Sequence, residues 1–197
     1  MNSIILIPFF QRPILFTEKY RKDIHIENSK DNIVVRYKGG YLKKEIWDFL
    51  VESRKDKTEL TIISQMHILE ENREILIIKD HINLWGFNPL IGKKLPENKS
   101  PFIDLDNLYD QEILERNFDY YSKKGLKPAI GIQLSSNHYP LITNADKMMA
   151  RKLGASCIGL TPEAIAAYSL NYSVSSIALT ESLYNRDLDN LILKKEK

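Results

Sequence analysis

The chain has 197 residues, 28 Lys and Arg against 26 Asp and Glu, and a formal charge of +2. Hydrophobic residues make up 43% and charged residues 27%, which excludes a disordered chain and predicts one folded domain over residues 1–197 with a full core. So small a charge gives no electrostatic case for nucleic acid or an anionic membrane as partner.

The longest apolar run, residues 4–10 broken only by Pro8, is far short of the ~20 residues of a membrane helix. No basic segment precedes it and no small-residue cleavage site follows, so no signal peptide is expected. The single cysteine, Cys157, reads as a small core residue and fits a reduced cytoplasm.

In chain order, runs rich in Ile and Val predict strands over 4–10 and 32–37. A helix over 42–54 follows, with Ile46, Phe49 and Leu50 at helical spacing. Strands are predicted over 60–64 and 74–79, the second running into Asp80-His81. Residues 86–104 lack periodicity and carry Gly86, Pro89, Gly92, Pro96 and Pro101; so long a loop in a compact domain is functional or forms an interface. A helix over 105–124 aligns Leu108, Ile113, Leu114 and Phe118, with Gly125 as its stop.

A strand over 129–134 comes next. The following helix starts at Thr143, with Asp146 completing a capping box, and ends at Lys152-Leu153-Gly154. After a strand over 156–160, Thr161 offers a capping hydroxyl, Pro162 the first helical position, and Glu163 a charge beside the positive helix end. A strand over 173–179 precedes a tail, 191–197, that reads as a helix end or a frayed terminus. Most strands are near-continuous apolar runs, so both sheet faces are expected to be covered. Strands alternating with helices make this an α/β protein with a central mixed or parallel sheet.

The densest local signal is IIKDHINLWGFNPLIG, from Ile77 to Gly92. Asp80-His81 at a strand's carboxyl end offers either acid/base chemistry or hydrogen bonds that hold the loop, the second being the blander reading. This run resembles the DHINL…G…NPL.G stretch of the trimeric purine nucleoside phosphorylase and methylthioadenosine phosphorylase family. Phe102 and Tyr109-Asp110, then Lys152-Leu153-Gly154-Ala155 with Gly159-Leu160, then Pro162-Glu163 match further family segments in order. Arg36-Tyr37 resembles an upstream arginine-phenylalanine pair. The resemblance implies a nucleoside-phosphorylase fold, with a central mixed β-sheet flanked by helices. It also implies a trimer, phosphate and a purine nucleoside or base as ligands, and phosphate-dependent cleavage of the N-glycosidic bond.

The ligand groups of that family are only partly matched. Phosphate needs a cradle of backbone N–H groups and cations, and glycine lets the backbone approach. Residues 1–38 contain no glycine, and Ser64-Gln65-Met66-His67 stands where the family has asparagine-alanine-alanine-glycine-glycine. Arg36 is left either as a phosphate contact or, the blander reading, as a surface ion pair at a strand end. The family's purine-reading glutamate aligns with Ile142, which accepts no hydrogen bond, leaving Thr143 beside it. The family's purine-contacting asparagine aligns with Ser182, Leu160 replaces the methionine under the ribose, and Phe102 matches the aromatic lent to a neighbour's sugar site. Losing one preorganised donor to developing charge costs about 2.7–4 kcal/mol, so several such losses remove most catalysis.

The expectation is therefore an eroded site, with Arg36, Phe102, Thr143, Leu160 and Ser182 as ligand-binding residues and no catalytic residue, metal ligand or cofactor. The chain is also shorter than the family's usual length, mainly upstream of Arg36. One alternative is a working phosphorylase rebuilt on His67, Lys38 and Arg36 for phosphate, with Asp80-His81 or His138 near the base. Another is a partner subunit of an active paralogue. A cavity lined by Phe102, Thr143, Leu160 and Ser182 would favour a ligand; one filled by Met66, Ile142 and Tyr139 would favour a scaffold. No zinc-binding histidine spacing and no GxSxG elbow occur, and Tyr120-Tyr121 with Lys123-Lys124 reads as the solvated end of an amphipathic helix.

Overall fold

The computed structural model describes residues 3–9, 24–28, 32–54, 58–137 and 139–192. His138, Phe10 and most of the tail fall outside those residues, as does the remainder of the proposed 1–197 domain. Nine strands are described: β1 (Ser3–Phe9), β2 (Ile24–Asn28), β3 (Asn32–Lys38), β4 (Glu59–Gln65), β5 (His67–Ile68), β6 (Ile75–Asn83), β7 (Ala129–Ser135), β8 (Cys157–Gly159) and β9 (Ser173–Leu179). Five helices accompany them: α1 (Lys44–Glu52), α2 (Gln111–Lys123), α3 (Asn144–Lys152), α4 (Pro162–Ser169) and α5 (Glu181–Leu191).

The strands form one mixed sheet in the order β2-β3-β1-β4-β9-β6-β7-β8-β5. The run β3-β1-β4-β9 is parallel, β6 lies antiparallel to β9, and β6-β7-β8 is parallel again. Both edge strands, β2 and β5, run antiparallel to their neighbours.

Side chains alternate across a strand, and β1 shows what each face buries. Ile4 and Leu6 join Val35, Tyr37, the α1 residues Ile46, Trp47 and Leu50, and the α4 residues Ala164 to Ala167. Ile5 and Ile7 join Leu114 and Tyr121 of α2 and Leu183 and Tyr184 of α5. Helices therefore cover both faces, as the continuous apolar runs require.

Local signals set most helix ends. Thr143 Oγ1 accepts from Asp146 N–H (3.2 Å), and the Asp146 carboxylate accepts from Thr143 N–H (2.8 Å). Gly154, at φ +80°, supplies the left-handed turn just beyond α3. Three expectations need correction. Helix α2 begins at Gln111, not at 105, because Tyr109 pairs with Val174 and Asp110 caps the helix, accepting from Glu112 and Ile113 N–H. Strand β6 runs to Asn83 past an irregularity between Ile78 and Asp80, so Asp80-His81 lie within the strand. Thr161 precedes α4 without capping it through its hydroxyl, which is engaged elsewhere.

Candidate functional site

The carboxyl ends of β4, β8 and β9 converge around Met66. Its N–H donates to the Leu179 carbonyl (2.9 Å), and its side chain is 2% exposed. The thioether lies over the bare α-carbon of Gly159; a Cβ there would fall 2.6 Å from Met66 Sδ. Met66 Sδ also meets Cys157 Sγ at 3.7 Å. Burial pushes the Cys157 thiol far up, so it stays protonated and unreactive. Tyr139 arrives from the loop after β7 and donates its hydroxyl to the Gln65 carbonyl (2.8 Å). Its ring packs with Trp85 and Leu160, and Ile142 leans on the same cluster. Apolar side chains thus occupy the space at these strand ends.

Beneath Leu160 lies a buried polar link absent from the sequence expectations. The Gln133 amide nitrogen donates to Ser135 Oγ (3.0 Å) and Thr161 Oγ1 (3.1 Å), and the Thr161 hydroxyl donates back to Gln133 Oε1 (3.2 Å). This ties β7 to the start of α4. The signal for it was a lone glutamine inside the apolar run AIGIQL, which a sheet buries only with partners.

Arg36 sits on the α5 side of the sheet, and its side chain is 7% exposed. Nη1 donates to Glu27 Oε2 and Nη2 to Asp189 Oδ1, both at 2.7 Å. Burial raises the Glu27 carboxyl, but the Arg36 hydrogen bond and charge outweigh it and hold that carboxyl below its usual range. Both nitrogens of the guanidinium fork are thereby held by carboxylates of the chain itself.

Phe102 projects into solvent, 77% exposed, from the long loop. With Phe87, Pro89, Pro101 and Ile165 it lines an open cavity of about 370 Å³. Asn88 holds the loop, donating to the Pro101 carbonyl (2.8 Å) and accepting from Leu90 N–H (2.9 Å). Trp85 and Phe87 meet edge-on at 5.2 Å, and Tyr41 stacks on Trp85 at 6.0 Å.

The other candidates lie apart. Thr143 is engaged in the α3 cap, and Ser182 is exposed in the first turn of α5, which Thr180 caps. Leu160 is buried against Tyr139 and Trp85. Among the described residues no hydrogen bond, ion pair or core cluster joins any two of Arg36, Phe102, Thr143, Leu160 and Ser182. The cavity beside Phe102 is not lined by Thr143, Leu160 or Ser182.

Asp80 is exposed and accepts from His81 N–H (2.7 Å) within β6, a bond to its own neighbour and not to the long loop. His81 meets Tyr109 edge-on at 6.0 Å, and burial outweighs Asp80 to lower its pKa. His67 is lowered too, first by burial and then by the charges of Lys147 and Arg151. Among the described residues no group of His, Cys, Asp or Glu is arranged to hold a metal ion, and no helix is long and apolar enough to cross a membrane.

No family model matches the chain. It is 27% identical over 128 residues to purine nucleoside phosphorylase 1 of Geobacillus stearothermophilus, which covers 64% of this chain and 47% of that protein. It is 29% identical over 125 residues to purine nucleoside phosphorylase of Rattus norvegicus, covering 60% and 43%. The chain thus spans less than half the length of these curated relatives. In three dimensions it is similar to isoform 2 of purine nucleoside phosphorylase from Schistosoma mansoni, solved with cytosine and ribose-1-phosphate. The TM-score is 0.68 at 18% identity, over 98% of this chain and 81% of that one. A Schistosoma purine nucleoside phosphorylase in complex with guanosine superposes with a TM-score of 0.66 at 18% identity, over 100% and 91%. The mixed nine-stranded sheet and its flanking helices therefore have the nucleoside phosphorylase fold.

Proposed function

We propose that this chain, a divergent member of the purine nucleoside phosphorylase family, is a non-catalytic binding or assembly protein built on that family's fold. The observation that carries this reading is the packing of Met66 onto Gly159, with the Tyr139 hydroxyl on the neighbouring Gln65 carbonyl. A turn that would offer open backbone N–H groups to phosphate is instead covered by side chains. Arg36 adds support. With carboxylates on both nitrogens of its fork, it brings no net positive charge to an anion. Ile142 supplies no acceptor for a purine edge.

Assembly as a trimer in the cytoplasm completes the proposal. Phe102 and Leu141, 77% and 81% exposed, are the apolar surface such an assembly would cover. Mass measurement in solution checks it: about three times the 22.9 kDa chain is expected, and a monomer at all concentrations refutes it. The catalytic part is tested by phosphate-dependent release of purine from inosine, guanosine, adenosine and methylthioadenosine. No release above the uncatalysed background is expected; an ordinary turnover with any of them overturns the reading.

One observation favours the active alternative. His67 stands in the field of Lys147 and Arg151, a cationic group that a rebuilt phosphate site would use. Thermal stabilisation by inorganic phosphate that is lost in Lys147→Ala would support that version. A melting point indifferent to phosphate would remove it.

A further inference from the structure

The sequence places Glu163 as a charge beside the positive end of α4. It is 1% exposed, in a helix whose neighbouring residues Ala164, Ile165, Ala166 and Ala167 pack into the main apolar cluster. Neither carboxyl oxygen completes a well-formed hydrogen bond with a described residue. What faces the carboxyl is the first turn of α4 on its own side and the Tyr37 hydroxyl of β3 on the other. Tyr37 is 0% exposed, and its hydroxyl likewise lacks a well-formed partner. The next titratable group beyond it is Tyr184 of α5, a neutral phenol. Among the described residues no cation acts on this carboxyl.

An ionised carboxylate without a cation or a full set of donors is unstable in such surroundings. The positive end of α4 favours the charged form, but only modestly. We propose that Glu163 is a proton-linked latch at the start of α4, in which the folded chain holds the carboxyl as the neutral acid, Tyr37 of β3 sets the pH at which the latch opens, and ionisation loosens the start of α4. The segment that would loosen includes Thr161, which Gln133 ties to β7, so the latch lies next to the strand-end cluster of Leu160 and Tyr139. Neither the loss nor the retention of phosphorolysis bears on it.

The direction of the pH effect follows from linkage. Burial raises the Glu163 pKa from 4.5 to about 7. Between those values the folded chain carries a proton that the unfolded chain has released. Stability is therefore complete below the lower value and falls as pH rises through the upper one.

The test is the unfolding constant of wild type and Glu163→Gln between pH 5 and pH 9. The ratio of wild type to variant should rise by up to about tenfold per pH unit between pH 5 and 7 and level off above. A ratio that stays flat across this range overturns the latch. Tyr37→Phe removes the group that faces and favours the charged form, so it should move the window to higher pH; an unmoved window removes Tyr37 from the device. Should Glu163→Gln not fold, the carboxyl band of the wild type in the infrared decides. Loss of the proton near neutrality supports the latch, and loss near the ordinary carboxylate value refutes it. Backbone hydrogen exchange at residues 161–165, corrected for intrinsic rates, should quicken above the transition while the β4 amides do not.

Discussion

Two regions near the carboxyl ends of the strands handle their apolar side chains in opposite ways. Met66, Tyr139, Leu160 and Cys157 are all buried, and two tight contacts lock the packing: a thioether on a glycine α-carbon and a phenol on a backbone carbonyl. Along the loop from Leu84 to Phe102, by contrast, Leu84, Phe87, Ile91 and Phe102 are about half or more exposed, and Phe87 and Phe102 line an open cavity. Burial of apolar surface stabilises the first region within one chain. The second region is anchored by buried Trp85, Leu90 and Leu95, yet its exposed side chains leave apolar area for a contact outside the chain. Intrachain stability and interaction capacity are thus segregated, and substitutions in the two regions should differ in kind as well as size.

The largest effect is expected at Met66. Met66→Ala removes a nearly fully buried side chain and leaves a cavity over Gly159, at a cost of about 2–5 kcal/mol. Thermal unfolding would fall by roughly 2–4 °C per kcal/mol for a chain of this size. A change within experimental error would mean that the closed region is loosely packed, and the contrast would fail.

Next in size is Gly159→Ala. The added methyl would meet Met66 Sδ at 2.6 Å and Cγ at 2.7 Å, so the thioether must swing away, at about 1–3 kcal/mol. Unlike most penalties this one has a named partner. In a Met66→Ala background the added methyl fills the new cavity, and a double-mutant cycle should show coupling of at least about 1 kcal/mol. Additive effects would show that the two residues do not touch.

What the sequence revealed of these regions divides by separation along the chain. The α3 cap was legible because Thr143 and Asp146 are three residues apart and one local rule covers both. Strand runs were legible because a strand covered on both faces is apolar throughout. Strands β2 and β5 were not, since one carries charges at a sheet edge and the other has two residues. The pairing of Arg36 with Asp189 spans 153 residues and that of Tyr139 with Gln65 spans 74, so no local pattern could announce either. The burial of Glu163 was hidden for the same reason. Its helix position marked a charge beside the positive helix end but carried no sign of burial, which the sheet packed above it imposes. The replacement of glycine and alanine by Met66 and His67 was visible as composition, but only the fold reveals that Met66 turns inward onto Gly159.

Tyr139→Phe probes the second lock of the closed region at smaller scale. Ring packing against Trp85 and Leu160 is retained, and the hydrogen bond to the Gln65 carbonyl is lost. The expected cost is about 1 kcal/mol, since Gln65 lies partly open to solvent and its carbonyl can be rehydrated. Equilibrium denaturation at neutral pH measures it. A cost of several kcal/mol would mean that the phenol anchors the whole loop between β7 and α3.

Phe102→Ser should have the smallest effect on the isolated fold and the most telling one on the comparison. The ring is 77% exposed, and the loop around it is held by Ser100, which accepts from Phe102 N–H (3.1 Å), and by Asn88. Both holds use backbone groups of the loop, so neither is disturbed when the ring is removed. Unfolding should shift by no more than about 0.5 kcal/mol. Self-association, read by sedimentation over a range of concentrations, should weaken at the same time if the open region serves contacts outside the chain. A large loss of stability with unchanged association would reverse the assignment, making Phe102 part of the intrachain core and leaving the exposed loop without a role in assembly.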